Sequence, residues 1–289
     1  MPEGDTVLTA ANTLHEIFAG SVLTRGDLNW PSAPAHGLQG HHLDEVDAYG
    51  KHLLMRFDQG LTLRTHLRMD GSWRIVRTDS SEARSPSPFV RAAIGTAQWT
   101  ALGYRLGMLD VWQTREEPQH LEHLGPDILS DSFVPTPFLE RAHNDPHLRV
   151  APRASRDSSH QNGFTLSDEG WRTGIERFAY QPATRPIGET LLDQTVVAGI
   201  GTIYMAEGLF ELKYSPLTPL ADVHVPRLLA AIRSHMIRAV VAYPQGRKIH
   251  VHGRTDKPCH VCGSPIERLL IGPPLKQRPA FYCATCQTL

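Results

Sequence analysis

The four cysteines constrain this chain more than any other feature in it. They stand as two Cys-x2-Cys knuckles, Cys259 and Cys262 in CHVC and Cys283 and Cys286 in CATC, separated by a twenty-residue span. Each knuckle turns two sulfurs to one side, and two of them close a tetrahedral four-thiolate set. That is the ligand chemistry of structural zinc rather than of a disulfide framework. With no further cysteine in the sequence and a closed ligand set, one Zn2+ is expected, structural, so catalysis has to come from elsewhere. The β-branched and aromatic content of GSPIERLLIG and PAFYC predicts a hairpin between the knuckles.

This end of the chain is also basic. From Arg247 onward, Arg247, Lys248, Arg254, Lys257, Arg268, Lys276 and Arg278 face only Asp256 and Glu267, so seven minus two leaves +5 in a chain of net charge -1. Segregated charge of this kind suits a polyanion, and the expected ribbon presents Lys276 and Arg278 to a partner.

Upstream, apolar residues at Val7, Ala11, Leu14 and Phe18 predict a helix over Thr6–Phe18. From Ser21 to Val111 the pattern becomes short alternating runs broken by glycine and aspartate, which predicts a β-sandwich or barrel. Asp79–Pro88 (DSSEARSPSP) reads as a polar surface loop, and LGPDIL at Leu124–Leu129 as the domain boundary. Helical segments follow: PTPFLERA, SDEGWRTGIERF with Ser167 as N-cap, PIGETLLDQTVVA, TIYMAEGLFEL and PRLLAAIRSHMIRAVVAY. Between the first two, His147–Gly163 is polar and patternless and reads as a mobile insertion. Gly199-Ile200-Gly201 permits a very tight turn between two helices. The second starts near Thr202 with unpaired N–H groups and a hydroxyl, a ready site for a phosphate oxygen.

The chain opens MPEGDTV. Methionine before proline is normally removed, which would leave a secondary amine at Pro2 beside the carboxyl group of Glu3. A free α-amine has a pKa of about 8 and is partly unprotonated at neutral pH. The field of a helix N-terminus favours that form. Amine plus carboxyl is a minimal kit for Schiff-base chemistry, whereas a retained Met1 would acylate the Pro2 nitrogen and abolish its nucleophilicity.

Together, an N-terminal PEG, a Gly-Lys in YGKHLL, a Gly-x-Gly helical hairpin with a downstream glutamate, and a C-terminal CxxC ribbon resemble the formamidopyrimidine-DNA glycosylase / endonuclease VIII family. The resemblance runs from Pro2 to Gln287, with His147–Gly163 outside it. It implies an α+β multidomain fold: an N-terminal β-sandwich with a leading helix over 1–128, a helix–two-turn–helix domain over 129–252 and a zinc ribbon over 253–289. It implies that Pro2 attacks C1′ of the damaged nucleotide, that Glu3 shuttles protons, and that Lys51 contacts a DNA phosphate and assists elimination. Arg278 would grip phosphates flanking the lesion. Met69, in HLRMDG, stands where the family places a wedge, and Arg68 precedes it. Arg105 and Leu106, in YRLG, resemble a second insertion loop. His123 and Thr202 occupy positions where the family often has arginine and asparagine, and PEGDT replaces the usual PE-x-PE, putting Asp5 and Thr6 in place of a proline and an acid.

The implied activity is that of a bifunctional glycosylase and abasic-site lyase acting on double-stranded DNA with damaged bases or abasic sites. PEG and the short AYPQGRKIHVHGR stretch point to the endonuclease VIII branch and oxidised pyrimidines; YRLG and HLRMDG look like the formamidopyrimidine branch and 8-oxoguanine. A DNA-binding protein without catalysis would keep the ribbon and hairpin, and an RNA-binding ribbon protein would leave Pro2, Glu3 and Lys51 unexplained. At 40% hydrophobic and 20% charged residues, the composition describes a globular protein. It shows neither a transmembrane run nor the basic-then-apolar start of a secretory signal. A monomer is expected, in the cytoplasm and associated with the nucleoid.

Overall fold

The computed structural model describes residues 2–33, 37–85, 87–135, 167–243 and 247–288. The insertion expected at His147–Gly163, and all but the first residue of PTPFLERA, lie outside them. The described residues divide into two compact units, one ending at His123 and one beginning at Leu124, within the LGPDIL stretch. Helices and ribbon share the second unit.

The first unit opens with helix α1 (Gly4–Phe18), two residues ahead of the expected start. Val7, Leu8, Ala11, Leu14 and Phe18 form its buried stripe, at 1% exposure or less, which packs on strands β3 (His42–Tyr49) and β4 (His52–Phe57). With β1 (Ser21–Val22), β5 (Leu61–His66) and β9 (Met108–Gln113), these make a five-stranded antiparallel sheet in the order β1-β3-β4-β5-β9. A second antiparallel sheet runs β2 (Arg25–Leu28), β7 (Val90–Gly95), β8 (Trp99–Tyr104), β6 (Ser72–Arg77). In β4 the consecutive Leu53, Leu54 and Met55 are all buried, so both faces of that strand are covered, as its continuous apolar run requires. The loop expected at Asp79–Pro88 contains a single helical turn, α2 (Ser81–Arg84), because the Ser80 hydroxyl accepts the Ala83 N–H at 3.2 Å. A short helix α3 (Glu117–Leu121), with proline in its first turn, also went unforeseen.

In the second unit, helix α4 (Glu169–Ala179) is capped at Asp168, not Ser167, and without a side-chain cap bond. Helix α5 (Ile187–Leu192) stops six residues short of the expected PIGETLLDQTVVA run. There Asp193 leaves the helix, and its Oδ1 accepts the N–H (3.0 Å) and hydroxyl (2.7 Å) of Thr195, the local competition that makes aspartate a helix breaker. Helices α6 (Thr202–Leu212) and α7 (Val225–Val241) follow the sequence pattern. They approach closely because Gly208 has no Cβ, which would fall 2.4 Å from Ile232 Cγ1. Strands β10 (Glu267–Ile271) and β11 (Arg278–Tyr282) form the expected hairpin, and β11 packs on α6. The Gln287 side chain ties ribbon to helices: its Nε2 donates to Tyr214 O at 2.7 Å while Oε1 accepts from Cys283 N at 2.8 Å.

Candidate functional site

In the first unit, Glu3 is the residue that caps α1, in extended conformation, and its carbonyl accepts the Val7 N–H at 3.1 Å. Glu3 is wholly buried, Asp5 4% exposed, and Pro2 half-buried. This start of the chain is therefore packed into the fold rather than trailing in solvent. Lys51 sits in a two-residue turn between β3 and β4, where Tyr49 pairs with His52 and Gly50 takes φ 57°.

Beyond that turn lies a concentration of positive charge. His52 and His66 pair directly across β4 and β5, edge to face with ring centroids 5.0 Å apart. Burial first, then repulsion from His66, Arg64, His123 and Arg68, pushes His52 down to about 3. Burial first, then Lys51, Arg68 and Arg64, pushes His66 down to about 4. The His66 Nδ1 also accepts the Arg68 N–H at 2.8 Å, which requires an unprotonated nitrogen. Arg64 Nη2 donates to Asp110 at 2.7 Å, and its guanidinium lies over Trp112. The fold thus brings Lys51, Arg68 and His123 to one cationic region around two neutral histidines, which the sequence reading had not singled out.

Two turns beside it are joined. Arg68 (φ 51°) leads into the exposed Met69, and Arg105 (φ 45°) leads into Gly107. The Gly107 N–H donates to His66 O at 2.9 Å, and the Arg68 stem covers Gly107. Leu106 is 3% exposed and fills the hollow left by Gly103, whose missing Cβ would lie 2.6 Å from Leu106 Cδ1.

In the second unit, the tight turn before α6 is held by Gln194, whose Oε1 accepts Gly199 N–H at 3.0 Å while Nε2 donates to Ile200 O at 2.9 Å. Gly199 takes φ 103°, a conformation other residues resist. Thr202 is 4% exposed, and its hydroxyl lies 3.3 Å from His252 Nε2. The buried Glu207 carboxylate accepts three consecutive main-chain N–H groups, from His250 (2.8 Å), Val251 (3.0 Å) and His252 (2.9 Å). It thereby sets the loop that carries His252; only long-range geometry shows this. A cavity of about 400 Å³ opens between α6, α7 and this loop, its rim carrying His235, Arg238, Arg247 and Lys248. Arg278 is exposed at the start of β11, opposite Ile271.

The four cysteine sulfurs all lie within 4.8 Å of one another. Cys262–Cys283 at 3.4 Å and Cys259–Cys286 at 4.0 Å are too long for disulfides. They bracket the roughly 3.8 Å edge of a tetrahedron with metal–sulfur bonds of about 2.3 Å. The donor set fits a closed thiolate metal site.

Comparison with known proteins adds relatives along the whole chain. Residues 1–110 match the family model described as the formamidopyrimidine-DNA glycosylase N-terminal domain. The chain is 35% identical over 99% of its length to the probable endonuclease 8 2 of Streptomyces coelicolor, covering 94% of that protein. It is 30% identical over its full length to DNA-(apurinic or apyrimidinic site) lyase Nei2 of Mycolicibacterium smegmatis, covering 99%. The fold is that of Lactococcus lactis formamidopyrimidine-DNA glycosylase, solved non-covalently bound to DNA containing an AP site: TM-score 0.73, 18% identity, 100% of both chains.

Proposed function

The chain belongs to the formamidopyrimidine-DNA glycosylase / endonuclease VIII family, on its endonuclease VIII-like branch, and from that premise we propose how it acts. It is a DNA glycosylase and abasic-site lyase of base excision repair, with double-stranded DNA as partner and the amine of Pro2 as nucleophile. The observation that supports Pro2 is the packing of the chain start: Glu3 is fully buried where α1 begins and Pro2 is half-buried, whereas a merely processed terminus would be solvated.

With Met1 removed, the Pro2 nitrogen lone pair attacks C1′, the new N–C1′ bond replaces the glycosidic bond, and the base leaves with a proton supplied by Glu3. Opening of the sugar gives an iminium that acidifies the C2′ proton. Loss of that proton expels the 3′ phosphate, and a second elimination expels the 5′ phosphate. Lys51, in its cationic turn, stabilises phosphate charge as the leaving group departs. Arg68, His123, Arg278 and the helix N-terminus at Thr202 hold phosphates, and Met69 and Arg105 occupy the space the flipped nucleotide vacates. The short stretch after α7 favours oxidised pyrimidines over 8-oxoguanine. The four-thiolate site holds Zn2+, which keeps the ribbon folded so that Arg278 reaches DNA.

Borohydride reduction with a duplex carrying one abasic site tests this directly. The processed wild type should give a covalent protein–DNA adduct, Pro2→Gly far less, and a form retaining Met1 none. A processed wild type that binds the duplex yet forms no adduct would sink the lyase mechanism and leave a DNA-binding protein.

A further inference from the structure

The ribbon hairpin is pinned to helix α5 at one corner, a contact that the mechanism above does not use. The ladder between β10 and β11 ends at the pair Ile271–Arg278. The next residue, Gly272, turns the chain out of β10 with φ 101°, a backbone that glycine adopts without strain. Past the end of the ladder its N–H donates to the Glu189 carboxylate, on the first turn of α5, at 3.3 Å. Beside it, Ile271 is 3% exposed and seats where Gly188 has no side chain: a Cβ there would lie 2.8 Å from Ile271 Cδ1. The start of α5 is itself anchored, with the Ile187 N–H donating to Thr218 O at 2.9 Å and the Gly188 N–H to Pro216 O at 3.0 Å. Two neighbouring residues at the end of β10 therefore rest on two neighbouring residues of a fixed helix start.

We infer that Glu189 is a positioning residue for Arg278: through Gly272 it sets where the hairpin carries that guanidinium to a DNA phosphate. The inference rests on the role of Arg278 proposed above. Residues paired across antiparallel strands share a face, so Arg278 leaves the ribbon on the face that Ile271 seats against α5. A shift of the Ile271–Gly272 corner is handed to Arg278 across a single strand pair. Residues 273–278 are all exposed, so this corner is the last point at which the fold holds the tip before Arg278. A tip held at its base gives up less conformational freedom when DNA binds, and affinity gains by that difference. A carboxylate suits the task because a charged acceptor makes the stronger hydrogen bond to a main-chain N–H.

The test is a double-mutant cycle on binding to a duplex with one abasic site, built from Glu189→Ala, Arg278→Ala and the pair. Arg278→Ala should bind roughly tenfold more weakly, with a salt dependence shallower by about one in log–log slope. Glu189→Ala should retain its zinc yet bind about threefold or more weakly, and should add little in the Arg278→Ala background. Glu189→Met, which keeps the bulk and removes the acceptor, should match Glu189→Ala and serves in its place if that variant fails to fold. Glu189→Gln keeps the acceptor and should restore wild-type binding. Wild-type affinity in Glu189→Ala and Glu189→Met, or a loss that persists undiminished without Arg278, overturns the inference while leaving Arg278 in its role. If Arg278→Ala binds as wild type does, the role of Arg278 falls and the inference with it. Borohydride trapping on the same duplex reads the lyase separately: a wild type that binds without trapping loses the Pro2 chemistry, and the cycle still decides on Glu189.

Discussion

Glu207 holds the main chain at Val251, its Oε1 accepting that N–H at 3.0 Å from the next element in space, forty-four residues away. The same carboxylate takes the neighbouring His250 and His252 N–H groups, so one buried charge positions the segment that meets Thr202. Hydrogen bonds to a charged group contribute more than neutral ones, and orphaned buried donors are costly. Glu207→Ala should lower unfolding free energy by about 3 kcal/mol or more, with Glu207→Gln intermediate. DNA affinity should fall with it, as His252 leaves Thr202. Urea midpoints for both variants check this, and a Glu207→Ala protein as stable as wild type would refute it.

The ribbon should depend on its metal. Elemental analysis should find one zinc per chain, and either a strong chelator or Cys262→Ser should lower Tm and abolish binding to abasic duplex. Hydrogen exchange locates the loss: β10 and β11 should lose protection first, since a closed thiolate site contributes folding free energy outright. Unchanged protection in a zinc-stripped protein would count against a structural metal.

Elements whose determinants are local were legible in the sequence, and long-range ones were not. The cysteine spacing foretold the hairpin, and the turn glycines foretold where α6 begins. Apolar spacing continues past Asp193 in PIGETLLDQTVVA, whereas that side chain's bonds to Thr195 end α5 at Leu192. The burial of Leu106 is not legible in YRLG, because the hollow at Gly103 that receives it exists only once β8 is folded. The His52–His66 pair and the Glu207 anchor come from register and from contacts forty residues apart, which no local pattern carries.

The buried His52 and the half-buried His66 predict an acid-sensitive first unit. Both have folded pKa values below the ordinary 6.5, about 3 for His52 and about 4 for His66. Between those values and 6.5 the unfolded chain binds more protons than the folded one, so stability rises with pH through that window and is lost as pH falls. Each histidine contributes a slope of up to about 1.4 kcal/mol per pH unit there. Denaturation series from pH 4 to 7 should show a steep limb below 6.5 that flattens in His52→Asn/His66→Asn. An equally steep limb in that variant would assign the sensitivity elsewhere.

Met69 is 59% exposed, so Met69→Ala should leave Tm unchanged within about 1 °C while impairing damage removal. Because flipping a paired base costs a few kcal/mol, release of a damaged base should slow about tenfold or more. Cleavage of a duplex already lacking the base should slow less. Equal losses on the two substrates would argue that Met69 contributes general affinity instead.

Gly107 and Arg68 predict a coupling that can be measured. A Cβ on Gly107 would lie 2.3 Å from Arg68 Cγ, 2.7 Å from Cδ and 2.8 Å from Cβ. The clash is with the stem of Arg68, which cannot swing aside as a side-chain tip can, and Arg68 is fixed by its own bond to His66. Gly107→Ala should therefore cost about 1–3 kcal/mol and weaken DNA binding by displacing Met69. Arg68→Ala removes the two nearer atoms, Cγ and Cδ, and leaves only Cβ at 2.8 Å, so Gly107→Ala in that background should cost less than in the wild type. The difference between the two costs is the coupling energy of a double-mutant cycle. A cycle that closes to zero would show that the two turns are not joined through this contact.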